Sequence, residues 1–240
     1  MRLDLFLFQN GYATSRTEAK RLITEGNVVA NGQTVTKPSF EVDPECEIKV
    51  EQSQNRYVSR GGFKLECAIR SFNFEIKDKL VIDVGASTGG FTDCLLKNGA
   101  SAVVAVDSGT NQLAQSIRDD GRVTVMENCN ARYLTPDMLP FTPSLAGMDV
   151  SFISATYIIP SVYNVLADGG DFICLIKPQF EVGRSGIGKG GIVKDDKLRN
   201  GAVLKVTDFA KSVGFTCVAT VRSDVVGGDG NVEFLAHFKK

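Results

Sequence analysis

From Leu80 to Lys240, short apolar runs alternate with amphipathic segments and with breaks rich in glycine or polar residues. This pattern predicts alternating strands and helices. Because the crossover helix of each βα unit covers one face of the sheet, the repeated units require an α/β fold with a doubly wound, mostly parallel sheet. The last two predicted strands have no helix between them, so we expect them to pair antiparallel. The predicted strands are LVIDV, AVVAVD, VTVME, LAGMDVSFIS, FICLIKP, FTCVATVRS and VEFLAHF. The predicted helices after the first strand are TDCLLKNG, residues 112–118, SVYNVLADGG and residues 196–213.

The first 50 residues show a different pattern, which predicts a small α+β module. A helix from Leu3 to Asn10 is followed by a second helix, SRTEAKRLITEG, which starts with an S-x-x-E capping box at Ser15. The stretch NVVANGQTVTKP then predicts a hairpin that turns at Asn31-Gly32. Arg16 and Lys20 are four residues apart, so they give the second helix a basic edge.

Composition limits the classes of protein to which the chain can belong. With 240 residues and 43% apolar residues, it can hold one sizeable α/β domain and one small domain. Polar residues 52–57 predict the linker, so we expect domains at residues 1–55 and 56–240. The net charge of −1 means that any affinity for nucleic acid must come from a local basic patch. Six scattered cysteines without a CxxC pair predict reduced thiols, no metal site and a cytoplasmic protein. The chain has no apolar run of about 18 residues, so no membrane span is expected.

A Gly-rich turn follows the first predicted strand, in LVIDVGASTGGFT. Small residues let the backbone approach a ligand closely, and the next helix begins there with unpaired N–H groups. The turn reads G-x-S-x-G-G, and Asp83 before it suits the cationic amino-acid end and the sulfonium of S-adenosylmethionine. Asp107 ends the second strand, where a carboxylate can accept both ribose hydroxyls. Asn130 follows the third strand and is either an adenine ligand or a turn residue. The predicted cofactor-binding residues are Asp83, Gly85, Ser87, Gly89, Gly90, Asp107 and Asn130.

Four charged residues far apart in the chain fall at suitable places for catalysis in such a sheet. Asp149 and Lys177 end the fourth and fifth predicted strands, at the carboxyl edge where ligands of open α/β sheets bind. Lys64 lies on a helix before the first strand, and Glu233 lies within the last strand pair. We therefore expect Lys64, Asp149, Lys177 and Glu233 to form a catalytic set.

The order Lys, Asp, Lys and Glu resembles the tetrad of the FtsJ-related ribose 2′-O-methyltransferases. The segment RLDLFLFQNGYATSRTEAKRLITEGNVVANGQTVTKP resembles the RNA-binding fold shared by a small-subunit ribosomal protein and pseudouridine synthases. Together with VSRGGFKLE, DVSFIS, LIKPQFE, KGGIV and GNVEFLAHF, these segments resemble the TlyA family, ribosomal RNA methyltransferases also labelled hemolysins. The resemblance covers nearly the whole chain. It implies S-adenosylmethionine as the cofactor and methylation of a cytidine ribose in ribosomal RNA of assembled subunits. The chain ends seven residues after Glu233, like the shorter members, which act on the large subunit alone.

The chemistry of ribose methylation suggests roles for Lys177, Asp149 and Glu233. A ribose 2′-hydroxyl is a poor nucleophile until its proton is removed or strongly polarised. We expect Lys177 to take or direct that proton, and whether it is a base or a positioning cation stays open. Asp149 is expected to hold Lys177 and contact the hydroxyl, while Glu233 orients Lys64 or the ribose.

Basic residues outside the tetrad are expected to contact RNA phosphates. For the N-terminal module, the alternative is a charged, solvated helix beside an ordinary hairpin. The Gly-rich stretch PQFEVGRSGIGKGGIVK predicts either a mobile lid that contacts RNA over the active site or a flexible connector. The lone histidine, His237, is expected to be structural. The predicted RNA-binding residues are Arg16, Lys20, Arg21, Arg60, Arg184 and Lys189.

Two other functional classes compete with the enzyme hypothesis. A membrane-active hemolysin requires a spanning or strongly amphipathic segment, and the sequence shows neither. An RNA-binding protein with an inactive methyltransferase-like domain would tolerate loss of the Gly-rich turn and the tetrad, and both are present. Cofactor binding measured by calorimetry separates the enzyme from the inactive protein.

Overall fold

The computed structural model describes residues 1–13, 15–24, 26–43, 45–50 and 56–240. The side chains of Arg21 and Arg184 lie outside the described part, as does most of the predicted linker. The chain divides into two compact units, Met1–Arg56 and Tyr57–Lys240.

The first unit packs two helices against a small antiparallel sheet. Its core is formed by residues such as Leu3, Leu7 and Ile23, each fully buried. Asn31 and Gly32 have φ values of 48° and 79°, the two left-handed conformations that a tight hairpin turn requires, so the predicted hairpin is confirmed. The sheet order is β2-β1-β3. The elements are α1 (Leu3–Gln9), α2 (Arg16–Thr24), β1 (Val28–Ala30), β2 (Gln33–Thr34) and β3 (Ile48–Val50).

The second unit is built on a seven-stranded sheet with the order β6-β5-β4-β7-β8-β10-β9. The first five strands of this unit, β4 to β8, run parallel, and β10 pairs antiparallel with both β8 and β9. The predicted α/β fold, Rossmann-like with an antiparallel end, is therefore confirmed. The strands are β4 (Leu80–Val84), β5 (Ala102–Val106), β6 (Val123–Met126), β7 (Leu145–Met148), β8 (Asp171–Ile176), β9 (Thr216–Arg222) and β10 (Phe234–Lys239).

Helices cover both faces of this sheet, as the parallel connections require. One apolar core lies between the sheet and α3 with α4, and a second core lies between the sheet and α6 with α8. The helices are α3 (Gly61–Phe72), α4 (Gly90–Lys97), α5 (Gln115–Arg118), α6 (Ile159–Val165), α7 (Pro178–Glu181) and α8 (Asp196–Val213). Short 3-10 turns occupy Ala131–Tyr133, Pro136–Met138, Ala155–Tyr157, Arg184–Gly186 and Lys189–Gly191. None of the described helices is both long and apolar enough to cross a bilayer.

Several predicted elements are shorter in the structure. The fourth strand ends at Met148 instead of continuing through DVSFIS, because its neighbour β4 stops at Val84, which pairs with Met148. Phe152 then has a φ of 64°, which is incompatible with extended backbone. The helix expected over residues 112–118 is only one turn, Gln115–Arg118. Glu233 lies one residue before β10 instead of within it.

Candidate active site

A cavity of about 570 Å³ opens at the carboxyl edge of the sheet, between the ends of β4, β5, β6 and β7. Its volume is in the range of cavities that hold nucleoside-sized ligands. Four of the seven predicted cofactor residues line this cavity: Gly85, Ser87, Asp107 and Asn130. Gly90 lines a smaller neighbouring cavity of about 150 Å³. The structure therefore brings most of the predicted set to one edge.

Asp107 is held by the loops on either side of it. Its Oδ2 accepts a hydrogen bond from Ser87 N at 2.8 Å, and its Oδ1 accepts one from Gly109 N at 2.7 Å. A carboxylate has about four acceptor sites, so two backbone donors leave capacity for the hydroxyls of a ribose. Asn130 is partly committed in a different way, because its Oδ1 accepts from Arg132 N at 3.2 Å and caps a 3-10 turn.

The Gly-rich turn needs glycine at Gly85 for two reasons. Its φ is +85°, and a Cβ there would lie 2.5 Å from the carbonyl oxygen of Asp149. At Gly90, an added Cβ would lie 2.3 Å from Ser59 Oγ, so the first turns of α3 and α4 meet at this point. Gly89 lines neither cavity; it has a φ of +94° at the start of α4. These contacts explain the spacing of the small residues.

Asp83 also lines neither cavity and is completely buried. Its Oδ2 accepts from Thr92 Oγ1 at 2.6 Å, and its Oδ1 has no hydrogen-bond partner among the described residues. Burial raises the pKa of Asp83 to about 7, the Thr92 hydrogen bond opposes this rise, and the Asp149 charge adds to it. An unpaired carboxylate oxygen next to the Gly-rich turn fits a site that receives a cationic group.

The four predicted catalytic residues form one continuous chain of ion pairs. Lys177 Nζ lies 2.6 Å from Asp149 Oδ1, and Lys64 Nζ lies 2.6 Å from Glu233 Oε2. The two pairs meet where Lys64 Nζ lies 3.9 Å from Asp149 Oδ2. Exposed fractions of the four side chains run from 2% to 17%, so the charges are largely removed from water. Such an arrangement rarely stabilises a fold more than apolar packing would, which favours a catalytic reason for it.

Ser151 was not predicted, and it contacts the tetrad directly. Its Oγ accepts a hydrogen bond from Lys177 Nζ at 2.7 Å. Ser151, Lys177 and Asp149 line the smaller cavity together with residues of the Gly-rich turn. The tetrad therefore meets the candidate cofactor site in this cavity.

The predicted RNA-binding residues are exposed where their side chains are described, but they differ in their contacts. Arg16 Nη2 lies 2.9 Å from Asp4 Oδ2, and the Asp4 carboxylate also accepts from Arg2. Lys20 is exposed on the same helix. In the second unit, Arg60 precedes α3 and Lys189 begins a 3-10 turn, and both are exposed.

The Gly-rich stretch before α8 is anchored at its far end by Asn231, which is 1% exposed. Asn231 Oδ1 accepts from Val193 N at 3.0 Å, and its Nδ2 donates to Gly191 O at 2.9 Å. Asn231 lies two residues before Glu233, so this stretch is tied to the loop that carries a tetrad residue. His237 is buried, and its Nε2 lies 2.8 Å from Asp171 Oδ1 in a cluster at the opposite edge of the sheet, which matches the expected structural role.

Comparison with known proteins assigns the two units separately. Residues 57–240 match the model of the FtsJ-like methyltransferases, and residues 1–48 match the S4 domain. The chain belongs to the FtsJ-like methyltransferase family. The FtsJ-like domain accounts for both cavities and the tetrad, and the S4 domain is the module predicted to bind RNA. The resemblance to RNA methyltransferases is thus confirmed at the level of the family.

Relatives of similar length share both domains. The 16S/23S rRNA (cytidine-2'-O)-methyltransferase TlyA of Mycobacterium tuberculosis is 41% identical over 235 residues, which cover 98% of this chain and 88% of the relative. The 23S rRNA (cytidine-2'-O)-methyltransferase TlyA of Campylobacter jejuni is 34% identical over the full length of both. A solved protein of Streptococcus thermophilus that carries a hemolysin name is 46% identical, with a TM-score of 0.80, over 100% of this chain and 88% of that one. The chain is therefore a TlyA-like member of the family, and its second unit has the fold of S-adenosylmethionine-dependent methyltransferases.

Three residues of the FtsJ-like domain escaped prediction because their sequence context is ordinary. Ser151 and Asn231 lie in loops, and their partners are 26 and 38 or more residues away in the chain. Glu181 follows Lys177 by four residues in LIKPQFE, a spacing that predicted no contact. For Ser151 and Glu181, the only available signal was the similarity of DVSFIS and LIKPQFE to segments of the TlyA family.

Proposed function

We propose that this chain methylates the 2′-hydroxyl of a cytidine ribose in ribosomal RNA, with S-adenosylmethionine as the methyl donor. The observation that carries the proposal is the chain of ion pairs Lys177–Asp149–Lys64–Glu233, in which Asp149 lines the nucleoside-sized cavity and Lys177 lines the smaller cavity beside it. The names of the relatives supply the substrate class, since two of them act on cytidine riboses of rRNA.

The larger cavity is the proposed cofactor site, and its residues suit the donor's chemical groups. Asp107 would accept hydrogen bonds from the ribose hydroxyls, and the side-chain amide of Asn130 would contact the adenine edge. The turn at Gly85 and Ser87 would let the backbone approach the donor closely. When bound, S-adenosylmethionine supplies an electrophilic methyl group on its sulfonium.

Lys177 is proposed to hold the acceptor hydroxyl and direct its proton. Asp149 and Ser151 fix the Nζ atom from two sides, at 2.6 and 2.7 Å, which leaves the amine one further position for the substrate oxygen. Glu233 keeps Lys64 in place beside Asp149. Positive and negative side chains therefore alternate along the tetrad, and each is held by its neighbours. Alignment of hydroxyl oxygen, methyl carbon and sulfur supplies much of the rate in such a transfer.

The S4 domain is proposed to recognise structured RNA through Arg16, Lys20 and Arg21, with Arg60, Arg184 and Lys189 contacting phosphates around the acceptor site. Phosphate contacts fix the position of a protein on RNA without reading sequence. The substrate is proposed to be the assembled ribosomal subunit in the cytoplasm, where folded rRNA presents the shape that an S4 domain binds.

The test uses the full chain, labelled S-adenosylmethionine, and intact subunits from cells that lack the gene. We expect label on one cytidine ribose of an assembled subunit, mapped by its block to alkaline cleavage. Separate small and large subunits serve as competing substrates and decide which particle is modified. No ribose methylation of either subunit, under conditions where the cofactor binds, would refute the proposal.

A further inference from the structure

The segments that follow β7 and β8 are joined side by side at the carboxyl edge of the sheet. Three contacts connect them in order along both segments. Lys177 Nζ donates to Ser151 Oγ at 2.7 Å. The rings of Phe180 and Phe152 lie 5.3 Å apart. The third contact is made by a carboxylate, that of Glu181, and it is the most extensive of the three.

Glu181 accepts hydrogen bonds from two groups of the segment after β7. Its Oε2 accepts from Ser154 Oγ at 2.6 Å, and its Oε1 accepts from Ala155 N at 2.7 Å. Lys205 of α8 completes the arrangement, because its Nζ donates to Glu181 O at 2.9 Å and to Oε2 at 3.0 Å. The carboxylate therefore accepts from three donors, and the residue is buried, at 8% exposed.

The held segment includes the wall of the cofactor cavity. Ser151, Phe152 and Ile153 line the larger cavity, and Phe152 is 91% exposed with a φ of 64°. A phenylalanine rarely adopts this backbone conformation, so the surrounding contacts must maintain it. Glu181 anchors the chain two and three residues after Phe152, at Ser154 and Ala155. Without this anchor, the segment can relax away from Lys177 into a backbone conformation of lower energy.

We propose that Glu181 is a positioning residue, whose buried carboxylate holds the 151–155 segment so that Ser151 and Asp149 keep Lys177 in its place. The inference rests on the proposed function. Glu181 lines neither cavity, so it acts through Ser154 and Ala155 and does not contact the reacting atoms. Well-packed apolar residues at a buried site usually give a fold at least as much stability as a buried ion pair does. A charged residue at this site is therefore better explained by positioning than by a contribution to stability.

A matched control lies at the start of β8, the strand that precedes α7 and Glu181. Asp171 begins β8 and is 4% exposed. Its carboxylate lies 2.7 Å from Lys79 Nζ and 2.8 Å from His237 Nε2. Asp171 and Glu181 are thus both buried acids paired with lysine near one strand, but only Glu181 lies at the edge that carries the tetrad. Loss of either carboxylate lowers stability, and only loss of Glu181 is expected to change the site.

The experiment compares Glu181→Ala, Glu181→Gln and Asp171→Ala in the full chain. Hydrogen exchange is followed in peptides that cover residues 150–157, and methyl transfer to ribosomal subunits is measured in single turnover. We expect Glu181→Ala to speed exchange in this segment at least tenfold and to slow transfer by roughly 10- to 100-fold, as a misplaced catalytic group does. Glu181→Gln keeps an acceptor for Ala155 N and restores most of the rate. Asp171→Ala changes neither quantity at a temperature well below its unfolding midpoint.

A double substitution tests whether Glu181 acts through Ser151. If it does, Ser151→Ala adds little to the rate loss of Glu181→Ala, whereas in the Asp171→Ala background it slows transfer as much as it does in the wild-type chain. Multiplicative losses in both backgrounds, or equal exchange in the Glu181→Ala and Asp171→Ala variants, would overturn the inference. An inactive wild-type chain would instead refute the proposed function, and the exchange comparison would still decide whether Glu181 holds the segment.

Discussion

Arg16 and Asp4 form an ion pair in which the acid is completely buried while 49% of the arginine side chain remains exposed. Hydrogen bonds from Arg2 lower the pKa of Asp4 most, burial opposes this change, and Arg16 adds to the lowering. Arg16 therefore serves the S4 domain in two ways: its inner N–H group holds a buried charge, and its outer face is free to contact RNA. We expect a substitution there to change stability and RNA binding together.

Lys20 separates the two effects. It is exposed, so Lys20→Glu should leave the unfolding midpoint nearly unchanged. We expect it to weaken binding to ribosomal subunits and to reduce the slope of log affinity against log salt by about 1, as loss of one phosphate contact does. Arg16→Glu should show the same change in slope and also a lower midpoint, because it places an acid beside Asp4. Lys49→Glu, at another exposed lysine of the same domain, is the control. An unchanged slope for Lys20→Glu would remove Lys20 from the RNA interface.

Lys177→Met should greatly slow methyl transfer while cofactor affinity is retained. The amine contacts Asp149 and Ser151 and is proposed to contact the acceptor oxygen, so its loss falls on the chemical step. We expect a rate reduction of roughly 100- to 10,000-fold, the range for removal of a proton-transfer group. Lys79→Met removes a comparable lysine from the opposite edge of the sheet, where Lys79 pairs with Asp171. If the two variants lose activity equally, Lys177 has no special part in catalysis.

Asp107→Ala should weaken S-adenosylmethionine binding by roughly 1 to 3 kcal/mol, because two hydrogen bonds to a charged acceptor are lost. The same change frees Ser87 N and Gly109 N, so the loops on both sides should exchange amide hydrogens faster. Calorimetry gives the affinity, with Asp120→Ala as the control, since Asp120 precedes β6 at the other edge of the sheet. Equal affinities for the two variants would place the cofactor elsewhere.

Asp83 should make stability depend on pH in an unusual direction. Its pKa of about 7 is above the ordinary value of about 4 for a carboxyl group. Between these values the folded chain holds a proton that the unfolded chain does not, so the free energy of unfolding decreases as pH rises through this window. Asp83→Asn cannot ionise and should lack this decrease. Denaturant titrations of both proteins at several pH values test it, and parallel profiles would show that Asp83 does not titrate in this range.

The FtsJ-like domain alone should bind the cofactor but methylate RNA poorly. All residues that line the two cavities lie between Ser59 and Lys177, and Val58 N donates to Asp93 Oδ2 at 2.7 Å, which secures the start of this unit. Residues 57–240 should therefore match the affinity of the full chain in calorimetry. Methylation of ribosomal subunits at the rate of the full chain would show that the S4 domain is not needed for recognition.

Sequence patterns were sufficient to predict the strands of the sheet. A parallel strand that is buried on both faces is a continuous apolar run, whichever strands lie beside it in the sheet. Every residue of β8 is buried, and its run FICLIK stands out in the sequence. The limits of β7 could not be predicted in this way. Its run continues into VSFIS, and only the end of its partner β4 and the turn at Phe152 stop it at Met148.

The site was predictable where topology alone fixes position and unpredictable where side chains meet across loops. Asp107 and Lys177 follow strands, so the carboxyl edge determines their place. The contact of Glu181 with Ser154 depends on the path of two loops, which no periodicity records. The pairing of Arg16 with Asp4 was hidden because a charge count treats both as surface charges, although Asp4 is buried.

The position of β10 has a consequence for how the protein is made. This strand follows β9 in the chain but lies between β8 and β9 in the sheet, and Glu233 directly precedes it. While the chain is being synthesised, β9 therefore has no strand to join until residues 234–239 have emerged. The sheet and the Lys64–Glu233 pair are completed by the same late event, since both need this segment. Long-range strand pairing of this kind slows folding, so we expect the Lys64–Glu233 pair to be among the last parts of the site to form.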